Sequence, residues 1–121
     1  PVFLEAIVEY TAGVLKNKAG KSLFINFIAD VSPACDCYPS NDAPIVKNIG
    51  IAAGPDPVAL DQASADLVNA EPALAGTKLL ANTEAGADKF KGLYPNVDWP
   101  IQLKYAESIG LGSRTYELIK I

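Results

Sequence analysis

The chain has 121 residues, half of them apolar and a fifth charged, with a net charge of −4 and no histidine. That length suits one domain with a real core, and the composition is that of a folding chain rather than a disordered one. Scattered lysines and a single arginine argue against a nucleic-acid face, and no apolar stretch reaches the ~20 residues of a membrane span.

From the N-terminus, Leu4, Ile7, Val8, Thr11, Val14 and Leu15 fall three and four apart and predict an amphipathic helix over residues 2–18. Lys16 and Lys18 are placed in its last turn, with Gly20 as its stop. Residues 22–31 (SLFINFIADV) are β-rich and apolar on both faces apart from Asn26, the pattern of a strand covered on both sides in a parallel sheet. Residues 32–47 contain Pro33, Pro39 and Pro44 and read as an irregular loop. A second short strand follows over residues 48–54 (NIGIAAG). Asp56 as N-cap and Pro57 at the first helical position then open a helix with Leu60, Ala63, Ser64, Leu67 and Val68 on one stripe, ending near Pro72. Residues 73–95 are weaker: a helical turn or two around Leu74, Leu79 and Leu80, and another over residues 87–93. A last helix is predicted over residues 100–110, stopped by Gly110. Residues 115–121 (TYELIKI) alternate as a C-terminal strand.

These elements predict a single α/β domain over residues 1–121, with a small, mainly parallel sheet of about three strands flanked by helices. The strands at residues 23–31 and 49–53 are expected to be parallel neighbours. So short a sheet is expected to be part of a larger protein. A chain that starts at Pro1 and has no methionine is expected to be a fragment.

The chemistry is concentrated in one place. Cys35 and Cys37, the only cysteines, bracket Asp36 in the proline-rich loop. Thiolates and carboxylates in one loop are the raw material of a metal or redox site. With Asp30 at the end of the first strand and Asp42 further along the loop, the candidate metal ligands are Cys35, Cys37, Asp36, Asp30 and Asp42. If the two strands run parallel, all of these and Asp56 lie at the sheet edge where open α/β folds bind ligands. The plainer reading makes Asp42 and Asp56 turn and cap residues, and the cysteines small loop residues. Two thiolates leave a tetrahedral soft-metal site half filled, so further ligands would have to come from carboxylates, another chain or another module. A disulfide between positions i and i+2 closes a small, strained ring, which favours reduced thiols and a cytoplasmic location. Asp61 reads as a helix-dipole residue or as an acceptor beneath the loop, and Tyr94, Trp99 and Tyr105 as core or contact residues.

The run Asp30…Pro33-Ala34-Cys35-Asp36-Cys37…Asp42-Ala43-Pro44, followed by Ile49-Gly50-Ile51 and Asp56-Pro57-Val58-Ala59-Leu60-Asp61-Gln62-Ala63, resembles the uncharacterised iron–sulfur-centre proteins known as domain of unknown function 362. The tail Tyr105-Ala106-Glu107…Gly110-Leu111-Gly112-Ser113 is similar to that family's C-terminal end, while Gly54-Pro55 departs from its pattern. The resemblance implies a C-terminal region that follows a ferredoxin-type module with four-cysteine motifs. It also implies an iron–sulfur cluster in the full-length protein, that module as partner and a further redox partner of unknown identity. No cluster is expected in the isolated domain. Three functional classes follow: a redox-protein domain with the Cys-Asp-Cys loop as its metal or redox site, a non-catalytic structural or interaction module supporting a ferredoxin unit, and a metal-dependent enzyme acting on a small acid through Asp30, Asp36 and Asp42.

Overall fold

The chain runs α1 (Val2–Leu15), β1 (Phe24–Ile28), β2 (Gly50–Gly54), α2 (Pro57–Ala70), α3 (Lys89–Leu93) and α4 (Pro100–Ser108), in a computed structural model that describes residues 1–121. The two strands form the whole of one sheet. They are antiparallel: at the end of β1 the Ile49 amide donates to the Ile28 carbonyl at 2.9 Å, and beyond it the Ile45 amide donates to the Val31 carbonyl at 2.8 Å.

The mainly parallel, three-strand sheet is therefore overturned. A parallel neighbour needs a crossover connection, usually a helix. The segment between β1 and β2 contains Pro33, Pro39 and Pro44 and no helix, so the chain turns back on itself instead. Residues 115–121 form no strand. Their alternation sorts side chains between two faces but supplies no neighbouring strand to bond. β1 is also not covered on both sides, since Ile25 and Phe27 are 51% and 72% exposed. The short helix expected around Leu74–Leu80 is absent, whereas the turn expected over residues 87–93 appears as α3.

The chain divides into two compact units. The first comprises residues 1–26, 52–64 and 98–121. Its core is Val8, Val58, Leu103 and Ala106, with Trp99, Tyr105 and Leu111 packed against it. α1 packs on α4, and the Tyr105 hydroxyl donates to Glu9 Oε1 at 2.9 Å. α1 ends with its stripe at Leu15, three residues short of the predicted span, so Lys16 and Lys18 lie outside its last turn and Lys18 donates from beyond its end to the Val14 carbonyl. Of the predicted stripe, Val8 is buried and Leu4, Thr11 and Leu15 are partly buried, whereas Ile7 and Val14 join Phe3 and Tyr10 in an exposed second stripe. α4 ends at Ser108, two residues short of the predicted span, and the predicted stop Gly110 follows with a φ of 81° that only glycine adopts freely. The Gly110 and Leu111 amides donate back to the carbonyls of Glu107 and Ala106, closing a Schellman turn.

Asp56 organises the same unit. Its Oδ1 accepts from the Val58 and Ala59 amides at 2.9 and 3.0 Å, the predicted cap of α2, and its Oδ2 accepts from the Ser113 amide at 2.9 Å. A side chain on Gly112 would fall onto this carboxylate, so the C-terminal segment can lie here only with glycine at that position. Glu107 reinforces the tie by accepting from the Arg114 amide at 2.8 Å and from its Nε at 3.0 Å.

The second unit comprises residues 27–51 and 65–97. Ile28, Ile45, Val46, Val68 and Leu79 are buried in it, and so is Lys89, with no exposed surface at all. The Lys89 ammonium donates to the carbonyls of Asn69, Glu84 and Ala87 at 3.0, 2.9 and 3.3 Å, while its amide donates to Asn69 Oδ1. Three carbonyls satisfy its three protons, which is how a buried ammonium escapes the penalty of an unpaired charge. Burial nevertheless holds its pKa below the ordinary lysine value, opposed by Glu84, Glu71 and Asp88. α3 opens on a side-chain cap from Asp88 to the Lys91 amide, and a Cβ on Gly92 would collide with the Ala81 carbonyl and Leu79.

Candidate functional site

The cysteine loop belongs to the second unit and leaves β1 through Asp30, which adopts a left-handed φ of 48° that short polar residues tolerate. The Asp30 amide donates to Asn48 Oδ1 at 2.9 Å. The neck of the loop is then closed by Asn41: its Nδ2 donates to Ser32 Oγ and to the Ala34 carbonyl, both at 2.8 Å, and its Oδ1 accepts from the Ala34 amide at 3.2 Å. A turn inside the neck carries the thiols, with the Tyr38 amide donating to the Cys35 carbonyl at 3.0 Å.

Both cysteines are free and exposed. The Cys37 amide lies 3.5 Å from Cys35 Sγ, toward which it donates. The Cys37 thiol also donates to Cys35, and this bond, followed by that of the amide, pulls the Cys35 pKa below the ordinary thiol value. Cys37 is pushed up by the same thiol–thiol bond, then by desolvation and by the Cys35 charge. The Asp36 charge raises both thiols. The arrangement is a polarised pair in which Cys35 is the more acidic thiol and Cys37 its donor.

The acids around the pair are differently engaged. Asp42 caps the Ala43 amide at 2.8 Å and pairs with Lys78 at 3.4 Å, and these two contacts hold its pKa below the usual carboxylate value. Asp36 is exposed between the thiols, and Asp30 is an exposed turn residue. No three cysteine, aspartate or glutamate side chains are gathered as a metal site. An iron–sulfur cluster usually takes four thiolates, so the two thiols here do not fit one alone.

The shared carboxyl edge expected for Asp30, the cysteine loop and Asp56 does not exist, because antiparallel strands end on opposite sides. Asp56 is a helix cap, as its plainer reading held. Asp61 accepts from Asn26 Nδ2 at 2.9 Å, so neither earlier reading described its partner. Sequence reasoning did not pick out Asn41, Lys78 or Lys89. Nor did it foresee the role of Tyr94, whose hydroxyl donates to the Pro33 carbonyl at 2.6 Å across 61 positions. An asparagine near a proline-rich turn is a recognisable loop-closing signal; Lys78 and Tyr94 act through distant partners and have none, and Lys89 binds backbone carbonyls, which carry no residue-type signal.

This is a small chain of two strands and four helices that presents a free dithiol on a tied loop. The family model described as Domain of unknown function (DUF362) matches residues 1–66, a little over half of the chain, and the chain belongs to that family. The match includes both strands and the whole cysteine loop but neither Lys89 nor Tyr94. No curated protein and no solved structure matches the chain. No helix is long and apolar enough to cross a membrane.

Proposed function

We propose that this chain is the C-terminal domain of a cytoplasmic iron–sulfur redox protein, in which the Cys35–Asp36–Cys37 loop offers two thiolates to a thiophilic metal. The remaining ligands would come from outside these residues, the ferredoxin-type module suggested by the family resemblance being the first candidate. The carrying observation is the pair itself: two exposed thiols, with the Cys37 amide donating toward Cys35 Sγ, on a loop whose neck is closed by Asn41. Cys35 as the more acidic thiol supports the reading, since the thiolate is the form that binds metal. Asp30 and Asp42 are at most accessory, because the first shapes a turn and the second is already paired with Lys78.

The test is titration with Cd²⁺ while following thiolate-to-metal absorption in the ultraviolet. Wild-type protein should develop the band, and Cys35→Ser with Cys37→Ser should abolish it. In the full-length protein the same pair of substitutions should alter metal content or redox titration. Unchanged binding and redox behaviour in the double variant would leave the second reading, a supporting interaction module. That alternative draws on the exposed apolar residues Phe3, Tyr10, Phe27 and Ile51, which are 75%, 78%, 72% and 66% accessible.

A further inference from the structure

The loop that carries the thiols is tied to a segment distant in sequence. Within the second unit, residues 71–94 reach residues 32–47 at several points, beginning with the Lys47–Glu71 ion pair at 3.2 Å near the end of that stretch. The Leu74 amide donates to the Ile45 carbonyl at 2.8 Å, Lys78 pairs with Asp42 at 3.4 Å, and the Tyr94 hydroxyl donates to the Pro33 carbonyl at 2.6 Å. The contacts are unequal. The Lys78 side chain is 67% exposed, and such surface pairs contribute little. The Leu74 contact lies near the far end of the loop, at Ile45 beside Val46, both buried and well past the thiols. The Tyr94 contact alone falls on the neck, one residue before Ala34 and two before Cys35. Pro33 is itself buried and has no amide to offer, so its carbonyl is the group through which the neck can be held from outside.

We infer that Tyr94 is a positioning residue for the dithiol: its hydroxyl fixes the Pro33 carbonyl and so sets the conformation from which Cys35 and Cys37 meet a metal together. This inference rests on the proposed metal-binding role of the pair. Two ligands held in one geometry bind an ion without first losing the loop's freedom, so a fixed neck favours chelation. A released neck should weaken chelation and let each thiol meet an external reagent more often. The base of residues 71–94 is held in turn by Lys89, whose three carbonyl partners lie at positions 69, 84 and 87. The brace is therefore anchored at its own end before it reaches the loop.

The experiment compares wild-type chain with Tyr94→Phe, which keeps the ring and removes the hydroxyl. Cd²⁺ affinity and the rate of modification by an aromatic disulfide reagent are measured on both, with Cys35→Ser/Cys37→Ser as the ligand control. Tyr94→Phe should weaken Cd²⁺ binding and speed modification, each by about two- to tenfold, the equivalent of one neutral hydrogen bond. Its circular dichroism should match wild type. Equal affinity and equal reagent rate in wild type and Tyr94→Phe would overturn the inference. Loss of native circular dichroism would overturn it too, by making the hydroxyl a requirement for folding rather than for the loop. If instead the cysteine control binds Cd²⁺ like wild type, the metal reading fails, and the reagent rate alone decides whether Tyr94 sets the loop.

Discussion

The turn at Asp56 and the loop at Cys35–Cys37 have similar ingredients: each follows a strand and sets an acid next to proline or cysteine in an irregular stretch. Their polar atoms are used in opposite ways. Both oxygens of Asp56 are taken by backbone amides, two from α2 and one from Ser113, and Gly112 leaves room for nothing else beside them. The sulfurs of Cys35 and Cys37 meet only each other and one amide, and both are open to solvent. A closed polar centre stabilises the fold, whereas an open one is free for chemistry. Lys89 belongs with Asp56 in this division, despite being the kind of buried lysine that would elsewhere suggest catalysis.

The largest effect expected from this contrast is at Lys89. Lys89→Met keeps most of the side-chain volume but leaves three carbonyls without their donor, and should cost about 3 kcal/mol in chemical denaturation. A stability equal to wild type would show that the carbonyls are served equally well by water. Asp56→Ala should cost about 1–2 kcal/mol through the lost cap and the freed Ser113 amide. Gly112→Ala should act at the same centre by pushing the carboxylate aside. Its effect should largely vanish in the Asp56→Ala background, which a double-mutant cycle would read directly.

Acid should act through the two carboxylates whose native contacts favour the ionised form. Glu107 has its pKa held below the ordinary 4.5 by the Arg114 amide first, then by the Arg114 guanidinium. A carboxylate with a depressed folded-state pKa contributes stability above its unfolded value and loses it as pH falls through the folded one. Stability should thus decline from about pH 4.5 downward, and Glu107→Gln should flatten part of that decline. Asp42, lowered by the Ala43 amide and Lys78, should account for a further part.

What the sequence made legible was local. The Asp56-Pro57 start of α2 and the Gly110 stop of α4 are written in adjacent residues, and both appear where expected. The two strands were also recognisable, but their direction was not, because it depends on the connection rather than on the strands. Three prolines and no helical pattern in residues 32–47 were the clue that no crossover could form. The alternation in residues 115–121 failed for a related reason, since a strand needs a partner that no single segment encodes. At the candidate site the thiols and their exposure followed from an irregular loop. Their support did not, because Tyr94 and Lys78 lie 61 and 36 positions from the groups they hold.

The smallest effect on stability is expected where the effect on chemistry is greatest. Cys35→Ser and Cys37→Ser replace exposed sulfurs with smaller hydroxyls and break no contact with the buried residues of the unit, so each should change stability by less than about 0.5 kcal/mol. The two should still differ in reactivity. Cys37→Ala takes away the side-chain donor that lowers the Cys35 pKa, so Cys35 in that variant should be less acidic than in the wild type. Cys35→Ala takes away the main cause of the raised Cys37 pKa, so Cys37 in that variant should ionise more readily than in the wild type. The pH dependence of alkylation in the two alanine variants measures both shifts. If the remaining thiol titrates in each variant as it does in the wild type, the pair is not polarised, and the loop would be as inert as the Asp56 turn.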